Sequence, residues 1–140
     1  MTDVKTALVI GGGVAGPVMA MALQKAGIEA GVYEAYSAAA DTIGGMLTVA
    51  PNGLEALKIL ESCSVQAVFT DLNMPVMNGM QLLREMAKRD SWKDLLRIII
   101  STDGSKLRRE EARELNVNLY VEKPFRPEVV RDVLCQIAGA

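Results

Sequence analysis

At 140 residues, half of them apolar and with a formal charge of -2, the chain is long enough for one well-packed domain and short for two. That charge gives no electrostatic reason to expect nucleic acid or an anionic membrane as a partner. The absence of histidine removes the commonest general base and metal ligand, and with them the hydrolytic triads that depend on it. No basic leader and no apolar stretch of bilayer length stands out, so a cytoplasmic location is expected. Cys63 and Cys135 have no spacing motif and read as buried thiols.

In Thr6 to Gly16, TALVIGGGVAG, the apolar run Ala7 to Ile10 leads straight into three glycines. Such a run predicts a strand buried on both faces, placed centrally in a parallel sheet. Gly11, Gly13 and Gly16 stand in G-x-G-x-x-G spacing. A helix from Val14 to about Ala26 follows, with Gly27 as its stop. The second strand, Glu29 to Glu34, ends in an acid about 18 positions past the last glycine. Strand, glycine turn, helix and acid together form the pattern that grips an adenine dinucleotide, with backbone N–H groups for the pyrophosphate and Glu34 for ribose hydroxyls. The same glycines also serve a tight turn and close helix-to-sheet packing, and that structural role is favoured while the rest of a cofactor site is missing.

Ala35 to Gly45 reads as a loop. Met46 to Ala50 reads as an extra edge strand or as more of that loop. Pro51-Asn52-Gly53 opens a helix with the stripe Leu54, Leu57 and Leu60. Gln66 to Thr70 is a buried strand ending at Asp71, followed by LNMPVMNG and a helix with Met80, Leu83 and Met86 on one side. Leu96 to Ile100 is another, ending in Ser101-Thr102. The helix from Ser105 to Leu115 is charge-rich and expected to be solvated. Asn118 to Glu122 is the last strand and leads into Lys123-Pro124-Phe125. A helix patterned by Val129, Val130, Val133, Leu134 and Ile137 closes the chain.

Two resemblances follow from these stretches. Residues 5 to 57, including ALVIGGGVAGPVMAMALQKAGIEAGVYEA and the PNGL turn, resemble the amino-terminal segment of FAD-dependent monooxygenases of the aromatic hydroxylase type. From about Asn52 to the end, the chain resembles the receiver domain of response regulators, chemotaxis regulators in particular. That second resemblance implies Asp71 as phosphoacceptor, Ser101 as the hydroxyl that senses the phosphoryl group, Tyr120 as a switch aromatic, and Lys123 before a cis Pro124. In that family a divalent ion is held by the acceptor, by the carbonyl two residues later, here Asn73, and by two acids directly after the first strand. Gly11 to Gly13 stand where those acids would fall.

Both families begin strand, helix, strand with a right-handed crossover. The expected fold is therefore a three-layer, doubly wound α/β domain over residues 1–140. It is flavodoxin-like or Rossmann-like, with five parallel strands in the order 2-1-3-4-5 and room for a sixth at the edge. With each motif lacking its partners, the expectation is an engineered chimera, flavoprotein-like over 1–57 and receiver-like over 58–140, with no evolved catalytic or signalling activity. On this reading Gly11, Gly13, Gly16 and Glu34 are a vestigial nucleotide grip, and Asp71, Ser101, Tyr120 and Lys123 a vestigial acceptor site. No enzyme activity, no metal, no nucleic acid, no membrane and no natural partner are expected, and FAD or another adenine nucleotide is held weakly if at all. Copies could pair through an uncovered edge strand. The competing readings are a phosphoacceptor receiver of a two-component system and an FAD- or dinucleotide-binding module.

Overall fold

The computed structural model describes residues 4–10, 15–33, 53–62, 64–74 and 76–138. Five strands, β1 (Thr6–Ile10), β2 (Glu29–Tyr33), β3 (Ala67–Thr70), β4 (Leu96–Ser101) and β5 (Leu119–Glu122), alternate with five helices: α1 (Ala15–Lys25), α2 (Gly53–Ser62), α3 (Gly79–Ala87), α4 (Lys106–Glu114) and α5 (Pro127–Ala138). The sheet is wholly parallel, in the order β2-β1-β3-β4-β5, as expected. The central strand, however, is β3 and not β1. An apolar run reports burial on both faces, which every interior strand has, and says nothing about rank within the sheet.

Alternate strand residues feed two cores. Ala7, Val9, Ala67, Phe69, Ile98 and Ile100 face Met19, Ala20 and Leu23 of α1 and Val130, Val133 and Ile137 of α5. Leu8, Ile10, Val68 and Ile99 face Ala56, Leu57 and Leu60 of α2, the apolar side of α3, and Ala112 of α4. Two expected anchors, Leu54 and Val129, are exposed; Ala56, Leu57 and Leu60 of α2 and Val130, Val133 and Ile137 of α5 are buried. Cys135 is also exposed, which corrects its assignment as a buried thiol; Cys63 lies outside the described residues, as does the edge strand expected at Met46 to Ala50.

The helix ends follow local chemistry. Gly27, at φ +80°, lets Ile28 N–H reach Leu23 O at 2.9 Å and Gly27 N–H reach Gln24 O at 3.0 Å, a glycine-terminated helix end. Asn116, at φ +56°, does the same for α4. Asn78 caps α3 reciprocally: its side chain accepts from Gln81 N at 2.9 Å, and Gln81 Oε1 accepts from Asn78 N at 2.9 Å. A 3₁₀ turn at Asp90–Trp92, unforeseen in the sequence, buries the single tryptophan and precedes Arg97. That arginine is itself buried inside β4. Its guanidinium donates to Leu115 O at 2.9 Å and to Trp92 O at 3.2 Å, while Nε has no partner, and burial lowers its pKa.

Because the Asn78 cap fixes where α3 begins, Asn78→Ala should cost about 1 kcal/mol, read as a lower urea midpoint with an unchanged slope. A loss within error would show that the cap is not formed.

Candidate functional site

The carboxyl ends of β1, β3, β4 and β5 are held in register past the last sheet residues. Asp71 N donates to Ile10 O at 3.1 Å, and Lys123 N donates to Ser101 O at 2.8 Å. One edge therefore gathers Asp71 after β3, Ser101 at the end of β4 and Lys123 after β5, the place where open parallel sheets bind ligands. Lys123 Nζ lies 2.5 Å from Asp71 Oδ2, with the two side chains only 21% and 17% exposed. The other carboxylate oxygen, Oδ1, accepts from Asn73 N at 3.0 Å. The Lys123-Pro124 peptide bond is cis, as the receiver resemblance implies.

The backbone under Asp71 is fixed from both sides. Thr70 Oγ1 donates to Asp71 O at 2.9 Å, and Gly79 N donates to Leu72 O at 3.1 Å. Gly79 sits so close to the Asp71 carbonyl that any Cβ would run into it. In the same loop Val76, β-branched and at φ +64°, holds a backbone conformation that costs free energy.

The turn after β4 is bound by a second cluster. Ser101 is fully buried, and its Oγ accepts from Asp103 N at 3.1 Å. Asp103 Oδ1 accepts from Ser105 N at 3.0 Å. That backbone bond, with the Ser105 hydroxyl and Arg108 adding to it, holds the Asp103 carboxyl below its usual range. Tyr120 is half-buried, and its hydroxyl donates to Asp103 O; burial pushes its pKa up. Arg109 lies over the Tyr120 ring at 4.7 Å from the centroid and also pairs with Glu122 Oε2 at 2.9 Å.

Of the residues singled out by sequence, Asp71 and Lys123 are in direct contact. Ser101 and Tyr120 converge on the turn next to them. Gly16 lies in the first turn of α1, and Gly11, Gly13 and Glu34 lie outside the described residues. Sequence reasoning missed Gly79, Asp103 and Arg109, and it named Asn73 for its carbonyl and not for the N–H it gives to Asp71. The Asp103-Gly104-Ser105 turn ahead of a charged helix was the available signal for a cap, and the glycine following LNMPVMN was the signal for a close approach.

A doubly wound parallel sheet with an aspartate, a lysine and a buried serine drawn together at its carboxyl edge defines a flavodoxin-like α/β domain with a charged edge site. The chain belongs to the response regulator receiver domain family, whose model matches residues 29–134. It is 34% identical over 91 residues to a chemotaxis protein CheY homolog of Campylobacter jejuni, covering 64% of this chain and 70% of that one. It is equally identical over 91 residues to chemotaxis protein CheY1 of Helicobacter pylori, covering 64% of this chain and 73% of that one. Its fold is similar, at a TM-score of 0.71 and 19% identity over 97% of this chain and 98% of the other, to the receiver domain of the Pseudomonas aeruginosa sensor histidine kinase PA1611, solved with a magnesium ion coordinated in its active-site cleft.

These findings correct the expectation of an engineered chimeric scaffold without signalling activity. The family match begins at Glu29, well inside the segment assigned to a flavoprotein, and crosses the supposed seam at residues 52–57. The structural likeness spans both halves. The shared physical reason is that a strand, a tight turn and a helix open both folds, so the glycine pattern by itself does not discriminate between them.

The rigid seating of Asp71 is directly testable. Gly79→Ala should push the Asp71 carbonyl away and lower the melting temperature by several degrees, an overpacking cost of about 1–3 kcal/mol. An unchanged melting temperature would show that the two backbones are not in contact.

Proposed function

We propose that this chain is the phosphoacceptor receiver of a two-component signalling pathway, with Asp71 as the residue that is phosphorylated. The 2.5 Å contact between Lys123 Nζ and Asp71 Oδ2 carries the reading. A carboxylate and an incoming phosphoryl group repel each other, and a fixed cation at the point of attack offsets that repulsion. Membership in the receiver family supports the same role.

In the transfer, one Asp71 carboxylate oxygen attacks phosphorus. A new P–O bond forms as the bond from phosphorus to the donor's nitrogen or oxygen breaks, and the donor keeps the electron pair. These 140 residues contain no histidine, so a phosphohistidine donor comes from outside them, as on a histidine kinase; a small acyl phosphate would serve as well. Once the aspartate carries the phosphoryl group as an acyl phosphate, Lys123 faces phosphoryl oxygens instead of a carboxylate. Ser101 Oγ, which accepts from Asp103 N at 3.1 Å, keeps its own proton to donate to them.

A shift of Ser101 is passed on through the turn it anchors, to which Tyr120, Arg108 and Arg109 are also attached. The readout surface is then α4 and β5. The chain acts as a switched acceptor and not as an enzyme turning over a substrate. Its relatives are named as chemotaxis proteins, and no described helix is long and apolar enough to cross a membrane. A cytoplasmic signal carrier fits both facts.

Incubating the purified chain with acetyl phosphate, in parallel with magnesium and with EDTA, should add the mass of one phosphoryl group in at least one of the two buffers. The adduct should be absent in Asp71→Asn. No adduct in either buffer, or an adduct that survives in Asp71→Asn, would overturn the assignment.

A further inference from the structure

We infer that the acceptor site works without a bound divalent cation, Lys123 being the resident counter-charge of Asp71; this rests on the phosphoacceptor reading above. Magnesium demands a near-octahedral shell of hard oxygens and is held through carboxylates together with phosphate. The site does not offer that shell. Asp71 has both oxygens engaged, Oδ2 by the Lys123 ammonium at 2.5 Å and Oδ1 by Asn73 N–H at 3.0 Å. A metal would have to displace the ammonium or sit against it, cation to cation.

Among the described residues, no neighbouring strand makes up the deficit. The Asp71 N to Ile10 O bond of 3.1 Å brings the end of β1 alongside the acceptor. The three residues that follow Ile10 in the sequence are glycines, and residues 4–28 contain no Asp or Glu at all. Two described carboxylates near the edge are committed elsewhere. Asp103 is bound to Ser105 N and Arg108, and Glu122 to Arg109. Among the described residues, no group of three or more His, Cys, Asp or Glu side chains could hold a metal ion.

The relative solved with magnesium in its cleft shares this fold, so the architecture alone does not decide whether an ion is held, and the side chains at the edge must. Phosphoryl transfer here then relies on Lys123 for charge compensation and on the donor's own reactivity.

Two measurements on the full chain test this. In the first, the rate of labelling by acetyl phosphate, followed by intact mass, should agree within about twofold between EDTA and excess magnesium. In the second, Mn²⁺ titration followed by water proton relaxation should show no Asp71-dependent binding below the millimolar range. The paired substitution Gly11→Asp with Gly12→Asp should create such binding, abolished again by Asp71→Asn. Stimulation of labelling by magnesium of about tenfold or more, or Mn²⁺ binding to the wild-type chain that Asp71→Asn removes, would overturn the inference. If neither buffer gives an adduct, the acceptor reading fails and the Mn²⁺ titration alone decides the metal question: Asp71-dependent binding contradicts metal independence, and its absence supports it.

Discussion

The ion pair between Lys123 and Asp71 is the contact on which the arrangement of the whole carboxyl edge depends. It joins the strands on either side of β4, and both side chains are mostly shielded from water. Removing two charges from solvent is costly, and their attraction repays that cost only when the geometry is good and the remaining lone pairs are satisfied. Asn73 N–H supplies the second bond to the carboxylate. The extended ladders at Asp71 and Lys123 supply the alignment. Gly79 allows α3 to begin directly against the acceptor's backbone.

Around that pair the molecule divides into a firmly packed base and a polar upper rim. The base is the pair of cores either side of β1, β3 and β4. The rim is the turn after β4 together with α4, where burial is slight and ion pairs are numerous: Arg108 with Glu111 and Asp103, and Arg109 with Glu122. Exposed pairs of this kind contribute little to stability individually. A rim held by several weak contacts can rearrange at small cost, which suits the readout proposed for it.

The fold was largely readable in the sequence because each strand is an apolar run closed by a turn signal, and each helix except α4 carries an apolar stripe. Strand order followed from the layout of the two resembled families, with which the right-handed crossover is consistent. Other features depended on tertiary context. Arg97 interrupts an otherwise apolar strand, and only the carbonyls of Leu115 and Trp92, brought close by folding, show why it is tolerated there. The stripe assignments at Leu54 and Val129 failed in the first turn of each helix, where spacing does not show whether a neighbouring element covers the residue. For the site, Asp71, Ser101, Tyr120 and Lys123 were identified through the family resemblance, but their engagement with Asn73, Asp103 and Arg109 was not visible in the spacing. The reading as an inert composite gave too much weight to a glycine turn that several α/β families share, and too little to a match running across the supposed join.

A double-mutant cycle on Asp71→Asn and Lys123→Met, with folding free energy measured by urea titration, tests most directly whether this pair is the organising contact. The account predicts a favourable coupling of about 1–2 kcal/mol, as for a close, mostly shielded charge pair. A coupling indistinguishable from zero would contradict it.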